Sequence, residues 1–406
     1  MHTIHFFTNL VIILVSAKIM AELFTYIKLP STLGEVVAGL ILGPSLFGIV
    51  QVEPILYILA EIGVMLLLFE VGLETDVSQL VKVGRQSLLV AITGIVAPAL
   101  LVWWVAHSLL QIEPKAAIFI AGALVATSIG ISLRVLMELG MRDAPVSRVV
   151  LGAAVMDDIG GVLILTVLVD MVTRETVDPW SLVKVFGFIL TFMALAPVAA
   201  KAFSPVISFA MRRGKTQGII PTLTVAVILS LAVLSEHIGA PAILGAFAAG
   251  IALSRNFHLP AAIFQKNDHL AHEIEKLLKP IIDLFVPVFF FVVGASINLR
   301  VIDFTSKTFW VMSLSLLVVA TLGKMLSGIW AGGSWREKLF CGMAMVPRGE
   351  VGLIFAEVGK KTQVLDETMY ALLVFIVAAT TLLGPVSLRL MAGGGQTPTP
   401  AEEKVT

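Results

Sequence analysis

The chain has little charge and almost no cysteine. Lys, Arg, Asp and Glu make up 14% of its 406 residues, basic and acidic residues number 28 each, and Cys341 is the single cysteine. Balanced charge argues against nucleic acid as a partner, and one cysteine excludes an internal disulfide framework. Hydrophobic residues make up 58% of the chain and the mean hydropathy is +0.98. These values indicate an all-α polytopic protein of the lipid bilayer and exclude an ordinary soluble domain.

Apolar runs that are long enough to cross a bilayer as helices, at roughly 20 residues each, occur about thirteen times. The predicted segments are 6–26, 33–50, 55–73, 86–110, 116–138, 145–172, 181–210, 219–237, 241–255, 273–298, 307–331, 336–359 and 367–391. Residues 1–391 therefore form one membrane domain, and residues 392–406 are expected to be a flexible tail. Lys and Arg concentrate in alternate loops and in the segment ends beside them, with 18 such residues on the side of the tail against 7 on the other side. This bias predicts an N-terminus outside the cell and a C-terminus in the cytoplasm.

Two pairs of short sequences recur at similar distances along the chain. Residues 34–42, Gly-Glu-Val-Val-Ala-Gly-Leu-Ile-Leu, resemble residues 245–253, and residues 69–72, Phe-Glu-Val-Gly, resemble residues 291–294. The offsets of 211 and 222 residues each cover seven segments. Because seven is odd, the second copy is inverted relative to the first. An inverted-topology repeat of this kind is typical of secondary transporters.

Two adjacent carboxylates, Asp157 and Asp158, lie in the middle of the sixth segment. A charged residue at the centre of a membrane helix costs roughly 2.5–3.5 kcal/mol, so an intramembrane pair indicates a function. Adjacent helical residues project about 100° apart, so the two side chains need not share one environment. Burial and mutual repulsion favour the protonated form of such carboxylates, and a nearby ammonium favours the charged form. We therefore interpret the pair as a site at which protons and monovalent cations compete.

The fifth and twelfth segments are interrupted by polar residues and helix breakers. Residues 126–130 read Ala-Thr-Ser-Ile-Gly, and residues 346–350, about 220 positions later, read Val-Pro-Arg-Gly-Glu. Pro347 cannot donate a backbone hydrogen bond, and glycine tolerates unwound backbone. Interrupted helices at matching positions of two halves indicate a transport site, so we predict two broken helices that cross there. Thr127 and Ser128 are then candidate ligands, although small residues of this kind also serve helix packing.

The ends of broken helices carry partial charges of about half an electron, which charged side chains in the membrane can compensate. We expect Asp157 or Asp158 at the positive ends and Lys324 at the negative ends. Lys324 alternatively forms an ion pair with one of the two aspartates, or extends to the membrane surface. Arg348 and Glu350 are expected to pair locally with other charges, in a structural rather than a direct transport role.

Four glutamates lie at or near segment ends, where we expect them to be solvated or to cap helices; they are Glu35, Glu61, Glu70 and Glu74. Glu70 alternatively faces a cation funnel. The seven histidines show no spacing typical of metal ligands, and no cofactor is predicted.

At these residues the sequence resembles the monovalent cation–proton antiporters of the second cation:proton antiporter family, in particular the NapA-type sodium–proton antiporters. The resemblance covers about residues 8–391. Its motifs are Leu-Gly-Glu-Val-Val-Ala-Gly at 33–39, Leu-Phe-Glu-Val-Gly-Leu-Glu at 68–74, Ala-Thr-Ser-Ile-Gly at 126–130, Met-Asp-Asp at 156–158, Gly-Lys at 323–324 and Val-Pro-Arg-Gly-Glu at 346–350.

The resemblance implies thirteen helices in two parts. An interface part covers about residues 6–73 and 219–298, a six-helix core covers about 86–172 and 307–391, and a linker helix at about 181–210 joins them. The resemblance also implies a homodimer in the plasma (inner) membrane of a prokaryote, with an elevator-like movement of the core.

The resemblance further implies electrogenic exchange of two protons for one sodium ion, with lithium as a second candidate ion and pH homeostasis as the cellular role. Asp158 matches the essential ion-binding carboxylate of the family, and Asp157 matches the carboxylate that pairs with the lysine at Lys324. The expected ligands of the transported Na⁺ and H⁺ are Asp157, Asp158, Thr127 and Ser128, and the expected charge-compensating residues are Lys324, Arg348 and Glu350.

Other functions fit parts of the pattern. Kef-type potassium efflux systems share the membrane fold, but they carry Gln-Asp in place of Asp-Asp and append a nucleotide-binding domain, which is not expected here. Potassium–proton exchange stays open because the sequence does not fix ion size selectivity. A non-transporting sensor on the same scaffold is a further alternative, against which the presence of both aspartates and Lys324 argues. An intramembrane aspartyl protease places its two aspartates on different helices, so no enzymatic activity is expected.

Overall fold

A computed structural model of the chain describes residues 2–75, 82–142, 144–173, 179–201, 207, 209, 218–254 and 268–392. Within these ranges all regular secondary structure is helical, which confirms the all-α prediction. The predicted flexible tail lies outside the described residues from position 393 onward.

Fifteen α-helices follow one another along the described ranges. The first eight are α1 (His2–Tyr26), α2 (Ser31–Leu42), α3 (Pro54–Glu74), α4 (Gly84–Trp104), α5 (Pro114–Ala123), α6 (Ile129–Glu138), α7 (Pro145–Thr173) and α8 (Pro179–Lys201). The remaining seven are α9 (Ile219–His237), α10 (Ala242–Leu253), α11 (Asp268–Ser296), α12 (Lys307–Ser327), α13 (Trp335–Ala344), α14 (Glu350–Lys361) and α15 (Glu367–Ala392).

Each of the thirteen predicted segments overlaps at least one of these helices, and the number of membrane crossings stays a prediction. Eight helices of the described ranges are long and apolar enough to cross a membrane. The second predicted segment extends to residue 50, whereas α2 ends at Leu42. Pro44 explains the early end, because proline cannot continue a helix and disfavours helical backbone in the residue before it. The predicted linker is described mainly over α8.

One compact unit of the chain packs its helices closely at glycines. Gly34 of α2 lies against the backbone of Met20 in α1, and Gly323 of α12 lies against Pro98 in α4. A Cβ at either glycine would overlap backbone atoms of the neighbouring helix. Small residues at such contacts let membrane helices associate through van der Waals packing. The described residues of this unit fall within Met1–Gln51, Gly84–Asp157 and Val293–Thr406.

The other compact unit has a similar close crossing between α3 and α10. Gly72 lies against the backbone of Phe247, and Gly250 lies against the backbone of Phe69, so glycines on both helices allow the approach. The described residues of this unit fall within Val52–Val83 and Asp158–Val292.

Two of the four glutamates expected to be solvated or capping are instead buried in the protein, Glu35 in α2 and Glu70 in α3. Glu70 accepts a hydrogen bond of 2.8 Å from Lys279 Nζ in α11. The prediction is wrong for these two residues because a position near a segment end fixes the depth of a side chain but not the helix face on which it lies.

Candidate functional site

The two interrupted helices meet at their breaks, as predicted. The chain leaves helical conformation between α5 and α6, and again between α13 and α14. The backbone N–H of Ser128 in the first break donates to the carbonyl oxygen of Pro347 in the second, at 2.8 Å. Thr127 Oγ1 likewise donates to the carbonyl oxygen of Met345, at 3.0 Å. These two hydrogen bonds join the unwound segments directly.

A further serine reinforces the crossing and was not predicted. Ser132 Oγ donates to the carbonyl oxygen of Ala344 at 2.6 Å, so it satisfies a carbonyl at the end of α13. Ser132 lies one helical turn after Ser128, on the same face of α6. That spacing is the signal in the sequence that could have identified it.

Glycines make room for the crossing. A Cβ on Gly349 would lie 2.8 Å from Ser128 Oγ, and a Cβ on Gly384 of α15 would lie 2.5 Å from Pro347 Cγ. Both distances are shorter than real Cβ contacts allow. A larger residue at 349 would push the two breaks apart, and one at 384 would push the second break away from α15. Thr381, one turn before Gly384, donates a hydrogen bond from Oγ1 to the carbonyl oxygen of Arg348 and fixes the second break against α15.

Arg348 neutralises the negative ends of the broken helices. Its fully buried guanidinium donates from Nε and Nη2 to the carbonyl oxygen of Leu124, which follows α5, and from Nη1 to the carbonyl oxygen of Val346, at 3.1 Å. Carbonyls at a helix C-terminus carry partial negative charge. Among the described bonds, Arg348 contacts these carbonyls, and a compensating role of Lys324 at the negative ends stays a prediction. Glu350 begins α14, and its side chain lies outside the described part of the chain.

Lys324 forms a buried ion pair with Asp157. Lys324 Nζ lies 2.9 Å from Asp157 Oδ1 and 3.1 Å from Oδ2, and the two side chains are 0% and 1% exposed. The pairing with one aspartate is confirmed, and extension of Lys324 to the membrane surface is wrong. Asp157 Oδ2 also accepts a hydrogen bond of 3.0 Å from the backbone N–H of Thr127, just before α6. The carboxylate therefore faces the positive end of α6, as expected for one of the two aspartates.

The helix α12 holds Lys324 at a fixed position. Gly323 lets α12 approach Pro98 of α4, and Ser327 Oγ donates to the Lys324 carbonyl oxygen at 2.6 Å. A Cβ on Gly94 of α4 would lie 3.6 Å from Lys324 Nζ, so the absence of a side chain there leaves space for the ammonium.

The two adjacent aspartates differ in solvent exposure. Asp158 is partly exposed where Asp157 is buried, so the adjacent carboxylates occupy different environments, as helix geometry predicts.

The Thr127 hydroxyl donates its hydrogen to the carbonyl oxygen of Met345, whereas the buried Ser128 Oγ has no hydrogen-bond partner among the described residues. A buried hydroxyl without a partner in a polar crossing is available to a ligand.

Comparison with known sequences gives matches over nearly the whole chain. The family model described as sodium/hydrogen exchanger, transmembrane, matches residues 11–393. The high-affinity Na⁺/H⁺ antiporter NhaS3 of Synechocystis sp. is 30% identical to the chain, and the alignment covers 96% of the chain and 90% of NhaS3. The Na⁺/H⁺-K⁺ antiporter GerN of Bacillus cereus is 31% identical, with 96% of both proteins covered.

Comparison with solved structures identifies the same overall fold. The sodium proton antiporter MjNhaP1 of Methanocaldococcus jannaschii superposes with a TM-score of 0.67, covering 97% of this chain and 100% of MjNhaP1. The two sequences are 18% identical, so this match concerns the fold alone.

Proposed function

This chain belongs to the sodium/hydrogen exchanger family, and we propose that it is a secondary transporter that exchanges protons for sodium ions across a cell membrane. The observation that carries the proposal is the buried Asp157–Lys324 ion pair at the crossing of two broken helices. Ionisable groups inside a membrane protein are costly and mark ion pathways. Unwound backbone at membrane depth is tolerated where it lines such a site.

The aspartates supply the charge that a dehydrated cation requires. We assign the transported ion to Asp158 and Asp157, with the hydroxyls of Thr127 and Ser128 as candidate neutral oxygen ligands. A proton that binds a carboxylate removes the charge that holds the cation, and a bound cation disfavours protonation. Binding of the two substrates is therefore mutually exclusive, and exchange follows when the site opens to one side of the membrane at a time.

The Asp-Asp pair makes the proposed exchange electrogenic. Protons that occupy both carboxylates in one half-cycle, and one monovalent cation in the other, leave a net movement of one positive charge. The ion pair of Asp157 supports this assignment. When Asp157 has lost its proton, the Lys324 ammonium is the counter-charge of the carboxylate.

Potassium–proton exchange is the second candidate. The relative GerN, 31% identical over nearly its whole length, is named a Na⁺/H⁺-K⁺ antiporter. Because that name includes potassium, K⁺ is the second candidate substrate of this chain. Lithium is a third ion to test.

We further propose the arrangement in which this chemistry operates. The N-terminus lies outside and the C-terminus in the cytoplasm, in the plasma membrane of a prokaryote and as a homodimer. The core part, about 86–172 and 307–391, moves relative to the interface part, about 6–73 and 219–298. The Lys and Arg distribution supports the orientation.

Proteoliposomes that contain purified protein and a trapped pH-sensitive dye test the function. Addition of Na⁺ should move protons across the membrane, and a membrane potential imposed at equal pH should drive Na⁺ movement. The double variant Asp157→Asn, Asp158→Asn is the control, because it keeps the shape of the site and removes both charges. Parent protein that moves no protons with Na⁺, K⁺ or Li⁺ would disprove the proposed function, and exchange insensitive to potential would disprove its electrogenic form.

A further inference from the structure

The carboxylate of Glu138, the last residue of α6, binds the beginning of α2. Glu138 Oε2 accepts from the backbone N–H of Ser31 at 2.8 Å, and Oε1 accepts from Ser31 Oγ at 2.7 Å. Oε1 also accepts from the backbone N–H of Thr32 at 3.3 Å and from the Thr32 hydroxyl. Four donors from two consecutive residues therefore converge on one carboxylate.

This carboxylate takes the place of a helix cap. The residue before α2 is Pro30, which makes no side-chain cap hydrogen bond, so the free N–H groups of the first turn need another acceptor. Glu138 provides it from a distant part of the chain, and its negative charge meets the positive end of α2. Arg134, one turn earlier in α6, lies 3.3 Å from Glu138 Oε1 and orients the carboxylate.

Glu138 stands at an unfavourable position in its own helix. A negative charge at a helix C-terminus repels the partial negative charge of the last carbonyls. The bonds to α2 offset that repulsion, so α6 is more stable when it is attached to α2 than when it is released. The contact therefore distinguishes energetically between two arrangements of α2 and α6.

The attachment acts on a helix that forms the candidate site. The ten residues of α6 span about 15 Å. The N-terminal end of α6 follows Thr127 and Ser128, and the Thr127 N–H is bonded to Asp157. The other end is held by Glu138. A displacement of the site relative to α2 must break the Glu138 bonds first.

We propose that Glu138 is a positioning residue whose bonds to Ser31 and Thr32 stabilise one of the two conformations of the exchange cycle. The inference rests on the proposed function, in which α2 belongs to the interface part and α6 to the moving core. In this conformation the bonds of Glu138 to Ser31 and Thr32, which we call the tether, are formed, and in the other they are broken. Weakening the tether shifts the population toward the open form without changing any ligand of the ion.

Half-saturating Na⁺ concentrations measured on each side of the membrane test the tether. The apparent affinity on one side depends on the fraction of protein whose site is open to that side. In right-side-out and everted vesicles, Glu138→Ala should shift the two half-saturating concentrations in opposite directions and change their ratio by about tenfold. Glu138→Gln, which keeps one acceptor oxygen, should give smaller shifts of the same sign.

Two further variants separate the tether from a general loss of structure. Ser31→Ala removes one donor on the α2 side, leaves α6 untouched, and should shift the concentrations in the same directions as Glu138→Gln. Glu357→Gln is the matched control, because Glu357 lies in the last turns of the other half-helix, α14, and pairs only with the exposed Lys361 at 3.4 Å among its described ion pairs. It should leave both concentrations unchanged. Equal shifts on both sides, or a change in maximal rate alone, would overturn the inference.

A cross-link provides an independent test, in which a covalent bridge between positions 31 and 138 replaces the Glu138 bonds. Cys341 is the single cysteine and is buried, so a Cys341→Ala background permits selective labelling. In that background Ser31→Cys and Glu138→Cys are bridged with a short, reducible bifunctional thiol reagent. Exchange should stop on bridging and return on reduction. Bridged protein that exchanges at the unbridged rate would overturn the tether while leaving the proposed function intact. Failure of the proposed function differs, because the parent would then exchange no cation.

Discussion

Removal of the Lys324 ammonium tests how strongly the buried ion pair stabilises the protein. Lys324→Met keeps most of the side-chain volume and leaves Asp157 with one described hydrogen bond, from the Thr127 N–H, in place of its bonds to the ammonium. Breaking a buried pair by removing one partner typically costs about 3–5 kcal/mol. Because Lys324 is 0% and Asp157 1% exposed, water cannot replace the lost partner, and we expect a loss in that range.

The assay is the apparent melting temperature of the purified protein in detergent. One kcal/mol shifts this temperature by roughly 2–4 °C in a domain of 150–250 residues and by less in a longer chain, so we expect a decrease of about 5 °C. Lys360→Met is the matched control, since the Lys360–Glu367 pair has an N–O distance of 3.0 Å against 2.9 Å, but its side chains are 38% and 76% exposed. An exposed pair contributes about 0–1 kcal/mol, so the control should melt close to the parent.

The double variant Lys324→Met, Asp157→Asn completes the test. An amide in place of the carboxylate removes the uncompensated buried charge, so the double variant should regain at least part of the lost stability. The reasoning would be refuted if Lys324→Met melted with the parent. It would equally be refuted if the two substitutions destabilised additively, because the charges would then not be coupled.

Further substitutions test the rest of the site. Asp158→Asn should reduce Na⁺-driven proton movement to background, whereas Asp157→Asn should retain partial exchange with a weaker response to membrane potential; the opposite ranking would reverse their roles. Arg348→Met leaves two helix-end carbonyls without their donors and should cost about 3 kcal/mol, measured as a lower melting temperature; an unchanged melting temperature would contradict its role at the breaks. Gly323→Ala introduces a Cβ against α4 and should cost about 1–3 kcal/mol, whereas Gly187→Ala, with open space around it, should be neutral or stabilising; equal effects would contradict the packing argument. Reporter fusions should show an external N-terminus and a cytoplasmic C-terminus, and a C-terminal reporter active only outside would contradict the predicted topology.

The breaks in the two helices were predictable because their causes are local. The first break was placed at 126–130 and lies between Ala123 and Ile129, and the second was placed at 346–350 and lies between Ala344 and Glu350. Pro347 and Gly349, two residues later, disrupt a helix whatever surrounds them. The Asp157–Lys324 pair was predictable for a related reason, since a buried charge requires an opposite charge and few are available in the apolar segments.

The partners of Arg348 and Glu138 could not be predicted from the sequence. Arg348 donates to backbone carbonyls, and Glu138 accepts partly from backbone N–H groups. Every residue has a carbonyl and nearly every residue has an N–H, so the sequence contains no signal that selects one of them. The choice depends on which helix ends the tertiary structure brings together. The burial of Glu70 depends on the tertiary structure in the same way.

The hydrogen bonds between the two breaks have a consequence for the direction of transport. Thr127, Ser128 and Ser132 tie the first break to carbonyls of the second, so the crossing is a stiff frame. In the proposed cycle an ion therefore meets the same coordinating groups whether it arrives from the cytoplasm or from outside. The ligands themselves then give no preference for import or export. The sodium and proton gradients and the membrane potential then decide which way it runs, and a reversal of those gradients should reverse the flux.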